Sequence, residues 1–250
     1  MNLCYVFFSL AVAAESSQQL VYDLSIRGKL VGRRDVKITY IPASESKPLG
    51  SRRLESYTEI DHVVAGNPIK YRQRATAQIS GKGSKKFVSS VSINDQVTEI
   101  QGRKLRDGSW SVYVVVPGTA TEENYGRSQI DGFSLELFDP AQASKWQAEQ
   151  STKLLAIDGS VPEIWRGLWV NDGSADLRST DKKMQGRQLS IKAKQGKLDM
   201  LWAQNGILLD WKVSLMGMTI NADLREIPQD PKFGEIKNIK SFQGVQEEEL

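Results

Sequence analysis

Cysteine and histidine are almost missing from this chain: 250 residues contain one of each, Cys4 and His62. A lone thiol near the N-terminus excludes an intrachain disulfide and a Cys-based metal site, and a thiolate nucleophile finds no partner motif. His62 lies in EIDHVV with no Ser or Cys motif to serve as its nucleophile. A histidine metal site would have to recruit its other ligands from Asp and Glu, which show no recognisable spacing. No G-x-S-x-G elbow is present, and a Ser-His-Asp hydrolase of that kind needs one. Gly81-Lys82-Gly83-Ser84-Lys85-Lys86 has the composition of a phosphate loop without its GxxxxGK[ST] spacing or a helix behind it. It reads as a solvated basic turn. An excess of one charge is absent too, since 33 Lys and Arg face 30 Asp and Glu, a net +3. That balance leaves no nucleic-acid footprint. Nor does any run approach the ~20 apolar residues of a membrane helix. The expected protein therefore has no metal, no cofactor, no nucleic-acid partner and no transmembrane span.

What the chain does contain is alternation and turns. LDMLWAQNGILLDWKVSLMGMTINADLREIP, residues 198–228, reads as three strands joined at Asn205-Gly206 and Met216-Gly217. Asn-Gly is a strong hairpin signal because a type I′ turn needs φ > 0 at both central residues. The same pattern recurs upstream. A hairpin over Val21–Tyr40 turns at Arg27-Gly28-Lys29, with Gly32 placed for a bulge. A second pairs residues 54–64 with 68–80, where Ile69, Tyr71, Ala75, Ala77 and Ile79 alternate with Lys70, Arg72, Arg74, Thr76 and Gln78. Phe87–Gln101 turns at Asn94-Asp95, and Trp110–Val116 alternates again. One helix is expected, capped by Asp139, with Pro140 at its first position and AQASKWQAEQ behind. The predicted fold is mainly β, a large curved antiparallel sheet or incomplete β-barrel with one short helix, because twist accumulated over ten or more strands must curl the sheet.

Residues 1–14 are expected to be a signal peptide. Leu3–Val12 is its apolar core and Ala11-Val12-Ala13 its small-residue site, although Lys and Arg are missing from the n-region. Residues 15–228 are expected to form a single β domain, and 229–250 an extended arm that ends in an acid run. The location expected from this is periplasmic or secreted.

The opening hairpin, with its leading tyrosine, Gly28, Gly32 and VKITY, resembles the starts of uncharacterised bacterial periplasmic half-barrel domains. Gly206, Leu208-Leu209-Asp210-Trp211 and Met216-Gly217 are similar to their closing strands. The layout is also similar to that of the Lol-type lipoprotein carriers, whose curved sheet cradles acyl chains; none of the carriers' functional residues is matched. The resemblance implies a compartment and, by analogy, a non-enzymatic protein that binds or escorts a lipid or acyl chain. Trp165, Trp169, Trp202, Trp211, Met216 and Met218 are then the expected lining, since rings and thioethers line adaptable apolar cavities. The same residue types also fill closed cores. The alternative is a subunit of a cell-envelope assembly that docks on other proteins through sheet edges and through Phe233, Ile236, Ile239 and Phe242 of the arm. A carboxylate hydrolase needs two opposed acids across a cleft, which spacing along a chain does not reveal.

Overall fold

The computed structural model describes residues 15–42, 50–64, 66–80, 83–179, 182–193, 196–215 and 218–225. Within them, fifteen strands make one sheet. In chain order they are β1 (Ser16–Ile26), β2 (Lys29–Ile41), β3 (Ser51–Val64), β4 (Asn67–Ser80), β5 (Gly83–Ile93), β6 (Gln96–Lys104), β7 (Trp110–Val116), β8 (Thr119–Tyr125), β9 (Gly132–Phe133), β10 (Ser151–Ala156), β11 (Glu163–Ser179), β12 (Lys182–Ala193), β13 (Gly196–Ala203), β14 (Leu208–Leu215) and β15 (Met218–Leu224). Across the sheet the order is β8-β7-β6-β5-β4-β3-β2-β1-β15-β14-β13-β12-β11-β10-β9. The first and last strands therefore meet in its middle, from Tyr22↔Leu224 to Ile26↔Ile220. All neighbours are antiparallel hairpin partners or close by β1–β15, apart from the parallel pair β9–β10. The sheet is curved and open, since β8 and β9 do not pair.

Alternation decides which face is dry. On β1, Leu20, Tyr22, Leu24 and Ile26 are buried while Val21, Asp23 and Ser25 are half-exposed. The register carries this phase across to Val36 and Ile38 of β2, Leu54 of β3, Ala75, Ala77 and Ile79 of β4 and Phe87 of β5. Side chains opposite one another in a ladder share a face, so one buried face runs through the sheet. The expected bulge occurs: the β1–β2 register shifts between Leu24↔Gly32 and Ser25↔Leu30. Gly32 is required there because a Cβ would stand 2.0 Å from the Glu59 carbonyl oxygen. The Asn94-Asp95 turn takes its expected form, with φ of 49° and 69°.

Residues 139–150 do not form the expected helix. A 3-10 helix, Ser134–Phe138, precedes this stretch, and within it only Ala143–Lys145 makes a short 3-10 turn. Asp139 does cap a turn, its Oδ1 accepting the Ala141 N–H at 3.1 Å. Its Oδ2, however, is held by Arg52 Nε at 2.8 Å. Arg187 donates to the Ala143 carbonyl, the group that the N–H of residue 147 would need in an α-helix. Glu149 instead donates to the Trp169 carbonyl at 2.7 Å. Tertiary bonds thus override helix propensity over a stretch too short to nucleate alone.

This segment fills the concave face. Phe133 lies 4.9 Å from Phe87 and 6.0 Å from Trp110, ring centre to ring centre, while Phe138 lies 5.5 Å from Tyr22 and 6.4 Å from Trp211. The chain thus reaches both halves of the sheet from within.

Candidate functional site

The tryptophans singled out in the sequence share one core: Trp169 and Trp202 pack on each other, Trp211 packs on Phe138 of the inner segment, and Trp165 is buried in the same cluster. Trp165, Trp169 and Trp202 are buried and Trp211 is half-buried. Trp169 sits 5.5 Å from Trp146 and 6.0 Å from Trp202, and the Trp202 indole N–H donates to the Leu137 carbonyl at 3.4 Å. Met218 opens β15. Met216 and the arm residues Phe233, Ile236, Ile239 and Phe242 lie outside the described residues, as do residues 1–14.

Closure is completed by a polar network. Arg34, buried on the inner face of β2, donates to Thr58 Oγ1 at 2.7 Å, to Gln73 Oε1 at 2.8 Å and to Asp158 Oδ1 at 3.0 Å. Its guanidinium lies 5.2 Å from the centre of the Phe138 ring and 5.4 Å from that of Trp211. Gln73 Nε2 reaches Asp158 Oδ1 at 2.7 Å and the Ile157 carbonyl at 3.1 Å, and the Tyr71 hydroxyl donates to the Asp158 carbonyl at 2.6 Å. Burial pushes the Tyr71 phenol up, with the Asp158 charge adding to it, so it stays a donor. Side chains of β2 and β4 thereby hold the β10–β11 loop against the sheet.

A cavity of about 280 Å³ remains beside Gly83, Ser84, Trp110, Asp131, Glu136 and Lys145. Glu136 is its buried acid, and burial raises its pKa against the opposing pull of Lys145 and its hydrogen bonds. Ser84 donates to its Oε1, and Lys145 Nζ stands 3.7 Å from Oε2. The second acid, Asp131, accepts the Lys153 backbone N–H at 2.8 Å. Both carboxylates are engaged within the fold, where they fasten the inner segment. The basic strand is engaged as well: Arg72 pairs with Asp61 at 2.9 Å and Arg74 lies 5.6 Å from the centre of the Tyr57 ring. His62 is a half-buried residue of β3. No group of His, Cys, Asp and Glu suited to a metal occurs among the described residues, and none of the described helices is long and apolar enough to cross a membrane.

Among the described residues, the surface that stays open is an edge. β9 is buried, whereas on β8 every residue but Tyr125 is exposed. Pairing runs from Val116↔Thr119 to Trp110↔Tyr125 around a two-residue turn. Such a turn closes on a hydrogen-bonded pair, and these alternate with non-bonded ones. The N–H and C=O groups of Ala120, Glu122 and Asn124 therefore point away from β7. Glu122 accepts from Ser111 at 2.8 Å and from Tyr113 at 2.6 Å, bonds that hold its carboxyl below the ordinary range. Val97, Tyr113 and Val115 are exposed on the strands behind this edge. Sequence reading missed β8 altogether, because TATEENY is wet on both faces and has no apolar alternation.

No family model matches the chain, and no curated protein matches it in sequence. In structure it is similar to a beta-barrel-like protein of the domain of unknown function DUF1849 from Brucella abortus, with a TM-score of 0.55 and 13% identity over 84% of this chain and 95% of that one. A DUF1089 family protein from Pseudomonas aeruginosa aligns over 84% of this chain and 96% of its own at 13% identity, with a TM-score of 0.42 that carries no argument. At such identity the likeness to the Brucella abortus protein is one of fold: the chain is a barrel-like domain.

Proposed function

We propose that the protein is a non-enzymatic, exported binding module of the cell envelope that takes a strand of another polypeptide onto β8. The observation that carries this reading is the free edge, with backbone groups of Ala120, Glu122 and Asn124 directed outward. An exposed edge is a template for a further strand, whose backbone bonds supply affinity while flanking side chains select the partner. Glu122 and Glu123 at its centre repel a second copy of the same edge and favour a neutral or basic strand. Acyl-chain escort, the other reading of the fold, requires an open concavity. Here Phe133, Leu137 and Phe138 are buried within it.

The test is native mass spectrometry of protein purified from its own envelope, wild type beside Ala120→Pro and Asn124→Pro. Each substitution removes an outward donor and leaves the β7 ladder intact. A polypeptide bound to wild type and lost from both variants is the expected result. A stoichiometric acyl species transfers the assignment to lipid escort, and a partner retained by both variants removes β8 from the interface.

A further inference from the structure

The end of the sheet that carries the Arg27-Gly28 turn holds the three most exposed large apolar side chains among the described residues, Val161, Leu30 and Val63. Asp61–Val64 and Asn67–Ile69 pair only with each other among the described residues, since β2 leaves β3 at Gly32↔Ile60 and the last support on the other side is Asn94, bonded to the Lys70 backbone at 2.8 and 2.9 Å. Three residues of strand at about 3.3 Å each make an overhang of roughly 10 Å. From His62 to Ile69 the sequence HVVAGNPI has no Asp, Glu, Lys or Arg. Val63 and Val64 on this finger are 58% and 38% exposed. Leu30, beside the neighbouring β1–β2 turn, is 61% exposed, and Val161 is 65% exposed. Val161 belongs to the loop that Arg34 and Tyr71 hold at this end through Asp158. Arg27, Lys29 and Lys70 stand among these residues without an ion pair among the described residues. Two nearby acids are neutralised, Asp61 by Arg72 and Asp158 by Arg34, which leaves Asp95 and Glu163.

We infer that this end of the molecule docks on a lipid surface carrying anionic headgroups, with Leu30, Val63, Val64 and Val161 entering the interface and Arg27, Lys29 and Lys70 meeting the phosphates. Separate apolar tips at one end, with Arg27, Lys29 and Lys70 near them in sequence or register, suit a fluid interface that closes around every tip. A folded partner would need a continuous patch instead. The inference is independent of β8, which is a strand edge bearing glutamates. Docking by the tips would hold the protein at a membrane while leaving that edge accessible.

Sedimentation with vesicles of phosphatidylglycerol and phosphatidylcholine, against vesicles of phosphatidylcholine alone, tests this on the full chain. Binding is expected only to the anionic vesicles, and weaker at high salt. The double variant Val63→Asp, Val64→Asp is expected to abolish it. Lys70→Gln is expected to weaken it about fivefold, as for one cation at a membrane surface. All these residues are exposed, so circular dichroism should show an unchanged fold. Equal binding to both vesicle types, or binding unchanged in the valine variant, overturns the inference. So does a defined oligomer in ultracentrifugation that the same substitutions dissolve, because the tips would then be a protein contact. None of these results bears on the strand partner, which is read from the proline variants.

Discussion

Arg34 has partners on two neighbouring strands, one loop and two aromatic rings. Removing it leaves Thr58, Gln73 and Asp158 turned toward an apolar space, and breaking a buried ion pair costs more than the pair contributes. Arg34→Met is expected to destabilise the fold by about 2–3 kcal/mol, below the fully buried case because Asp158 keeps some solvent; the shift in urea midpoint measures it. Arg34→Lys should not restore it, since an ammonium cannot present a planar fork to three acceptors. On the outer face, Asp210 of β14 lies directly opposite Asp223 of β15. Burial first, then the Asp223 charge, pushes the Asp210 carboxyl up to about 7. An acid raised in the folded state binds more protons folded than unfolded between about pH 4 and 7. Stability from this pair is thus highest below pH 4 and falls as pH rises to about 7. Asp210→Asn is expected to flatten that decline and to stabilise the protein at pH 8 by about 1 kcal/mol after solvent screening, read as melting temperature against pH. Arg34 and Gln73 were legible in retrospect: each falls in phase with buried neighbours, Val36 and Ile38 or Ala75 and Ala77. A polar residue in the apolar phase of a strand signals a buried network.

At the scale of elements, the strands with one dry face could be read from period-2 alternation and turn residues, and β8 and the inner segment could not. β8 has no dry face to mark it. The inner segment is held by partners distant in sequence: Gly206 of the β13–β14 turn would place a Cβ 2.5 Å from the Pro140 carbonyl oxygen, and Arg52 reaches Asp139. Helix propensity over AQASKWQAEQ carries no trace of them. Phe138 is the centre of this element, buried between Tyr22, Trp211 and Arg34. Phe138→Ala is expected to cost about 3–5 kcal/mol, measurable by urea unfolding. Such a void should also bind small apolar probes that the wild type excludes. The β5–β6 turn offers a change in the other direction. Asp95 holds φ of 69°, so Asp95→Gly completes an Asn-Gly turn and should stabilise by roughly 0.5 kcal/mol, seen as a small rise in melting temperature.

For the whole molecule, the joining of β1 to β15 matters most. β15 lies in the middle of the sheet, between β1 and β14, so its loss exposes two interior edges and the inner face behind Ala222 and Leu224. A chain ending at residue 215 is expected not to fold, with circular dichroism showing no cooperative transition. Pairing the ends also gives high contact order, so refolding is expected to be slow, since that loop must close before its contacts stabilise anything. Local sequence determined the β class, the bulge at Gly32, the turns at Arg27-Gly28 and Asn94-Asp95 and the phase of each half-dry strand, because each follows from backbone freedom and side-chain alternation over a few residues. At Asn205-Gly206 only the glycine takes positive φ, so the expected type I′ turn gives way to a wider one closed between Ala203 and Ile207. Only the tertiary structure decided that the concavity is filled, that β8 is the outer edge of the described sheet, and that apolar tips share one end. Those depend on which distant segments meet, and a covalent chain specifies that through the sum of its packing rather than through any stretch that can be read alone.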